Sequence, residues 1–122
     1  MPSSVKVAAP NALLLVSDVG GGNPPNKMRG ALIASTPSCI AVGCMSDTIG
    51  KTQVTVGTMQ ELSPSGPPAF DGQLETPSRA VSIWTVEDET ILQTAVSHQK
   101  TRVRVWVNHP SDPDNVIVAL DS

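Results

Sequence analysis

The chain has 122 residues and a formal net charge of −3, so it has the size of one domain and lacks the basic surface that phosphate backbones attract. Direct binding to nucleic acid is therefore disfavoured. Hydrophobic residues make up 39% of the chain and charged residues 16%, which is apolar enough to fold around one core and excludes disorder throughout.

The amino-terminal segment carries no targeting signal. Residues 1–7 contain no basic region followed by a long apolar run, and the apolar stretch 12–16 is far too short to span a bilayer. We therefore expect a cytoplasmic protein that does not bind membranes.

Short segments of alternating or β-branched apolar residues recur along the whole chain. The segments with this pattern are 5–8, 12–17, 31–35, 40–45, 53–58, 80–86, 91–96, 101–107 and 116–120. Turn-forming residues separate them, and the 11 prolines and 9 glycines disfavour long helices. The sequence predicts a single all-β domain over residues 1–122, an antiparallel two-sheet sandwich or a flattened barrel of about eight to nine short strands.

Two features in the first half of the chain have structural interpretations. The glycines at 20–22 are followed by Pro24 and Pro25 instead of a helix start, so they predict a flexible loop and not a phosphate-binding loop. Cys39 and Cys44 lie an odd number of positions apart, so on one regular strand they would point to opposite faces and could not form a disulfide. We expect them to be small buried hydrophobes in a reducing compartment.

The connection 62–78 is too long to be a tight turn. It is rich in proline and contains Phe70, the single phenylalanine, which could anchor it to the body of the protein. Connections of more than about 12 to 15 residues are usually functional or disordered. We interpret this one as a mobile surface loop, with a functional loop as the alternative.

The segment 80–86 and the turn after it contain candidate binding residues. Alternation places Ser82 and Trp84 on one face of this strand, opposite two apolar side chains. Glu87, Asp88 and Glu89 then concentrate three carboxylates at a predicted hairpin tip. An acidic tip would suit a basic partner such as a nuclease. The alternative is a solvated turn.

The strand 101–107 has the clearest alternation. Valines occupy one face, and Arg102, Arg104 and Trp106 occupy the other. Arginine and tryptophan are enriched at binding hot spots, so this face is a second candidate for partner binding. The alternative is that these side chains do no more than cover the sheet.

The histidines give no catalytic or metal-binding pattern. His109 lies in a turn with two prolines and two aspartates, whose spacing matches neither a calcium loop nor a zinc motif. His98 would act as a general base only beside a nucleophile, and the sequence contains neither the Gly-x-Ser-x-Gly elbow nor a cysteine-centred signature. We predict no catalytic residue, metal or cofactor.

The carboxy-terminal half resembles a known family. The segment 79–86, which begins Arg-Ala and continues as a strand, is followed by strands 91–96 and 102–107. This order is similar to the ending of competence protein J-like proteins, which are small nuclease inhibitors. The resemblance implies an all-β protein that binds and blocks a nuclease or a similar toxin-like enzyme.

These observations favour a non-enzymatic protein-binding module, an inhibitor or immunity-type protein. The alternative is a small-ligand or carbohydrate-binding sandwich in which Trp84 or Trp106 offers an apolar surface. Catalysis by His98 or His109 with a nearby carboxylate rests only on the presence of those residue types. An exposed sheet edge would also allow pairing into a homo-oligomer.

Overall fold

The computed structural model describes residues 2–25 and 31–121, and these residues form ten strands and two short helical segments. In chain order the elements are β1 Ser3–Val7, a 3-10 turn Pro10–Ala12, β2 Leu13–Asp18, β3 Ile33–Thr36, β4 Cys39–Gly43, β5 Thr52–Gly57, α1 Met59–Leu62, β6 Phe70–Glu75, β7 Ala80–Trp84, β8 Thr90–Ala95, β9 Lys100–Val107 and β10 Asn115–Asp121.

The described strands form two five-stranded sheets that face each other. The first sheet has the order β1-β5-β10-β9-β6 and the second the order β3-β4-β2-β7-β8. Neighbouring strands are antiparallel, apart from the parallel pair β5 and β10. Within the described ranges neither sheet closes into a barrel, so the prediction of an all-β two-sheet sandwich is confirmed.

The core lies between the sheets and is filled by the inward-facing half of each alternation. The second sheet contributes side chains such as Val16, Ile40 and Ile83, and the first contributes Val105 and Val118, all almost fully buried. Each such side chain stabilises the fold by roughly 1.5–3 kcal/mol relative to an exposed one. Aliphatic side chains therefore fill most of this core, whereas in many sandwiches aromatic side chains fill part of it.

The prediction of one loop over residues 62–78 is wrong, because its second half is β6. Phe70 and Leu74 point into the core, and the strand pairs with β9 over its whole length. The alternation was present in the sequence, but prolines on both sides of it favoured a loop. The preceding helix α1 starts with a capping box, in which Thr58 and Glu61 exchange hydrogen bonds of 3.0 and 3.1 Å.

The two cysteines lie on opposite faces of the second sheet, as their spacing predicts. Cys44 is in the main core, and Cys39 is in a second buried cluster on the outer face, with Leu15 and Ala41. Both thiols are free. Burial raises the pKa of Cys39 to about 11 and also raises that of Cys44.

The described ends of the connection from β2 to β3 contact the second sheet. At its start Gly22 lies so close to the Ser38 carbonyl that a Cβ atom there would be 2.1 Å from the oxygen. At its end the Leu32 carbonyl accepts a hydrogen bond of 2.7 Å from the Gly43 backbone. These contacts place Gly22 and Leu32 against the turn after β3 and the end of β4.

In residues 2–25 and 31–121 no helix is long and apolar enough to cross a membrane.

Candidate functional site

The strand register brings four connections together at one end of the sandwich. Leu13 at the start of β2 is opposite Gly43 at the end of β4, and Leu15 is opposite Trp84 at the end of β7. Val116 at the start of β10 is opposite Val107 at the end of β9. We call the resulting surface the acidic end, formed by residues 8–12, 44–51, 85–89 and 108–114.

Backbone hydrogen bonds join three of these connections, and the fourth, 85–89, lines a concavity together with residues of two of them. The Cys44 N–H donates to the Ala12 carbonyl at 2.9 Å, and the Met45 N–H donates to the Pro113 carbonyl at 2.8 Å. The connections therefore form one continuous surface that spans both sheets.

The acidic end concentrates negative charge. Its six carboxylates are all exposed, and they face a single lysine, Lys51, in these four connections. The carboxylates are Asp47, Glu87, Asp88, Glu89, Asp112 and Asp114. With six carboxylates and one lysine, the four connections carry a formal charge of −5, more negative than the −3 of the whole chain. Lys6 of β1 lies beside Lys51 and Asp114 along one concavity.

The predicted hairpin tip is present and is internally braced. Thr85 is fully buried, and its N–H donates to the Glu89 carbonyl while its own carbonyl accepts from the Asp88 N–H, both at 3.0 Å. Its hydroxyl accepts from the Glu87 N–H at 3.3 Å. These bonds hold the backbone that carries the three carboxylates.

Asp88 has a left-handed backbone conformation. Its φ of 62° lies in the region where glycine meets no steric penalty and which aspartate tolerates better than most other residues. The tip thus combines a turn that glycine would suit with a carboxylate at that position.

Exposed apolar side chains accompany the carboxylates. Ile49 is 70% exposed and Val86 37% exposed, and both belong to the acidic end. Val86 and Glu87 also line an open concavity of about 630 Å³ with Asp47 and the 3-10 turn. Protein interfaces combine an apolar centre with a polar rim, and these two side chains would supply the apolar part.

On the predicted binding face of β9, ion pairs neutralise the positive charges of the two arginines. Arg102 donates to both carboxylate oxygens of Asp71, at 2.9 and 2.6 Å, and Arg104 pairs with Asp121. The hydrogen bonds from Arg102 lower the pKa of Asp71, and the same carboxylate raises the pKa of Arg102. Both guanidinium groups therefore already have anionic partners within the sheet.

Trp106 lies on the same outer face but is covered. Its side chain is only 9% exposed, and its Nε1–H donates to the Gly66 carbonyl at 3.0 Å. The residues between α1 and β6 thus close over the indole. Alternation correctly placed Arg102, Arg104 and Trp106 on one face, but this face is less accessible than the pattern indicates.

Trp84 is half-buried on the outer face of the second sheet. Its Nε1–H donates to the buried Ser17 hydroxyl at 2.9 Å, which fixes the orientation of the ring. Asp88 from the tip lies beside it along one open groove. The structure therefore brings together two of the candidates, Trp84 and Asp88, and separates them from the β9 face, which belongs to the other sheet.

The histidines lie at opposite ends of the molecule. His98 precedes β9 and His109 follows it, and a strand of that length separates them by more than a side chain can reach. His109 Nδ1 accepts hydrogen bonds from the Ser111 and Asp112 N–H groups at 3.1 and 3.0 Å, so its ring shapes a turn. Within the described ranges no cluster of His, Cys, Asp and Glu could hold a metal ion.

Asp47 is a member of the acidic end that sequence reasoning did not single out, because it is an isolated carboxylate in a turn. Asp112 and Asp114 were noted only as part of the turn that contains His109. The grouping of these carboxylates with the tip depends on strand order, so no local sequence pattern indicates it.

Comparison with known proteins shows the fold. No family model matches the chain, and no curated protein matches it in sequence. The chain is similar to the crystal structure of ComJ from Bacillus subtilis, an inhibitor of the DNA-degrading activity of NucA, with a TM-score of 0.63 and 11% identity, over 98% of this chain and 95% of that one.

A second solved structure is similar along its whole length. This is the protein described as crocagin biosynthetic gene J, with a TM-score of 0.57 and 9% identity, over 99% of this chain and 96% of that one. At such identities the similarity concerns the fold. The resemblance to competence protein J-like proteins is confirmed at that level.

Proposed function

We propose that this protein is a non-enzymatic inhibitor that binds a nuclease and presents its acidic end to the cationic cleft of the enzyme. The observation that carries this proposal is the collection of six exposed carboxylates on four neighbouring connections at one end of the sandwich. A cleft that binds a phosphate backbone is lined with Lys and Arg, so its potential complements this surface.

The bracing of the tip supports binding by a preformed surface. A partner that binds the turn around Thr85 does not need to order a flexible loop, so less conformational entropy is lost on association. Complementary charge raises the association rate, and the exposed Ile49 and Val86 provide apolar area to desolvate.

One of the two solved structures supports the class of partner. One protein with this fold is described as an inhibitor of a DNA-degrading activity. The acidic end is a better candidate surface than the β9 face, because Arg102 and Arg104 are ion-paired and Trp106 is covered.

The test is an inhibition assay on nucleases of the native host. Lysate fractions that degrade plasmid DNA are titrated with the purified protein, and the remaining DNA is quantified on gels. We expect stoichiometric loss of activity in one fraction. If no fraction is inhibited, the proposal is wrong.

Matched variants then test the surface. The double variant Glu87→Gln/Glu89→Gln should inhibit about tenfold more weakly at low salt, because charges at the edge of an interface act mainly on association. Glu75→Gln removes an exposed carboxylate on β6, outside the acidic end, and should inhibit like the wild type. Equal inhibition by all three proteins would place the binding surface elsewhere.

A further inference from the structure

A narrow groove lies on the outer face of the second sheet, next to the acidic end. It has a volume of about 210 Å³ and is open to solvent. Its described lining consists of Ser17, Asp18, Val19, Gly20, Gly21, Ser82, Trp84, Asp88 and Thr90.

The described lining has the chemistry of a cation site. It contains two carboxylates, an indole ring and three hydroxyl side chains, and no lysine or arginine belongs to it. Asp18 is only 3% exposed and accepts hydrogen bonds from the Gly20 and Ser78 N–H groups, which keep its carboxylate ionised. It therefore contributes negative potential at one end of the groove, and Asp88 contributes it at the other.

A hydrogen bond fixes the orientation of the Trp84 indole, on which a ligand can stack. The Nε1–H of Trp84 is bonded to the Ser17 hydroxyl, so the ring cannot rotate away, and the side chain is only half-buried. Tryptophan is the aromatic side chain that attracts a cation most strongly.

The Asp88 carboxylate is held in place by the braced tip. Asp88 has a φ of 62°, in the left-handed region that aspartate tolerates, and its N–H donates to the Thr85 carbonyl at 3.0 Å. The residue therefore has a fixed position beside Trp84 in the groove.

We propose that this groove is a subsite for one arginine side chain of the protein partner. The guanidinium stacks on Trp84 and donates hydrogen bonds to the Asp88 carboxylate. Arginine fits better than lysine because its planar, weakly hydrated cation both stacks and forms paired hydrogen bonds. This inference rests on the proposed function, since a basic nuclease cleft supplies the arginine.

The first experiment uses a small probe and needs no nuclease. The ¹⁵N-labelled protein is titrated with N-acetylarginine amide, and the two tryptophan indole N–H signals are followed by NMR. We expect a saturable shift of the Trp84 signal and of the Asp88 amide, with Trp106 unaffected. The uncharged isostere N-acetylcitrulline amide should produce no comparable shift.

The variant Asp88→Gly removes the carboxylate and keeps the turn, so it tests the two contributions separately. Glycine suits this backbone, so the variant should fold at least as well as the wild type, as far-UV circular dichroism will show, while its affinity for the arginine probe falls about fivefold or more. Equal binding of the citrulline and arginine probes, a matching response to a panel of sugars, or unchanged affinity in Asp88→Gly would overturn the subsite.

The inhibition assay distinguishes this proposal from the proposed function. If the wild type inhibits a nuclease and Asp88→Gly inhibits it equally well, the subsite is not used by the partner and this inference is wrong. If no nuclease is inhibited but the arginine probe binds selectively, the proposed function fails and the arginine subsite stands.

Discussion

Asp18 gives the sharpest test of how the second sheet is held to its connections. This carboxylate is 3% exposed and bonds to two backbone N–H groups, Gly20 and Ser78, both at 2.8 Å. Ser78 lies in the connection between β6 and β7, far from Asp18 in sequence. One side chain therefore ties the start of the β2–β3 connection to a second connection.

The substitution Asp18→Asn keeps the shape and removes one acceptor. One backbone N–H then faces an amide NH₂ and loses its partner, whereas the other keeps a carbonyl oxygen. A hydrogen bond to a charged group contributes roughly 1.5–3 kcal/mol, and an unsatisfied buried donor costs a similar amount. We expect the free energy of unfolding at pH 7 to fall by about 2–3 kcal/mol.

The pH dependence has a defined sign. Burial by itself would raise the pKa of Asp18, but the hydrogen bonds from the Ser78 side chain and from the Gly20 and Ser78 backbone outweigh it, so the pKa is lowered. A group with a lowered pKa stabilises the fold above its unfolded pKa, and this contribution is lost as the pH falls through the folded value. The difference between wild type and Asp18→Asn should therefore shrink below about pH 4.

Urea unfolding followed by far-UV circular dichroism at pH 7, 5 and 3 measures this difference. Other carboxylates titrate in both proteins, so their contributions cancel in the comparison. Glu75→Gln is the control, and as an exposed site it should change stability by less than about 0.5 kcal/mol. A variant as stable as wild type at pH 7, or a difference that stays constant down to pH 3, would refute the role of Asp18.

Two further predictions concern close packing in the same sheet. Gly22→Ala should lower the free energy of unfolding, measured in urea, by about 1–3 kcal/mol, because its Cβ would lie 2.1 Å from the Ser38 carbonyl oxygen. The control Gly50→Ala should change this free energy little, since its Cβ would contact only the Met45 sulfur, at 3.4 Å. Cys39 should not react with a disulfide reagent at pH 8 until urea unfolds the protein. Burial raises the pKa of this thiol to about 11, so little thiolate forms in the native protein. Rapid reaction of the native protein at Cys39 would contradict its burial.

Most of the strands follow from local sequence. Alternation predicts which side chains share a face, and the segments predicted from it correspond to nine of the ten strands in the described residues. The exception is β6, where Phe70 and Leu74 alternate correctly but prolines on both sides favoured a loop. The opposite placement of Cys39 and Cys44 also follows directly from their spacing.

The accessibility of each face was decided only by the tertiary structure. The partners of Arg102 and Arg104 are 31 and 17 residues away in sequence, and Trp106 is covered by a segment 40 residues away. No local pattern contains these contacts.

The candidate site divides in the same way. The sequence by itself determined the acidic tip and the outward position of Trp84, because both depend on a single hairpin. The grouping of the tip with Asp47 and Asp114 depends on the order of the strands. The pleat of one strand fixes the direction of its side chains, but only pairing between distant strands decides what those side chains meet.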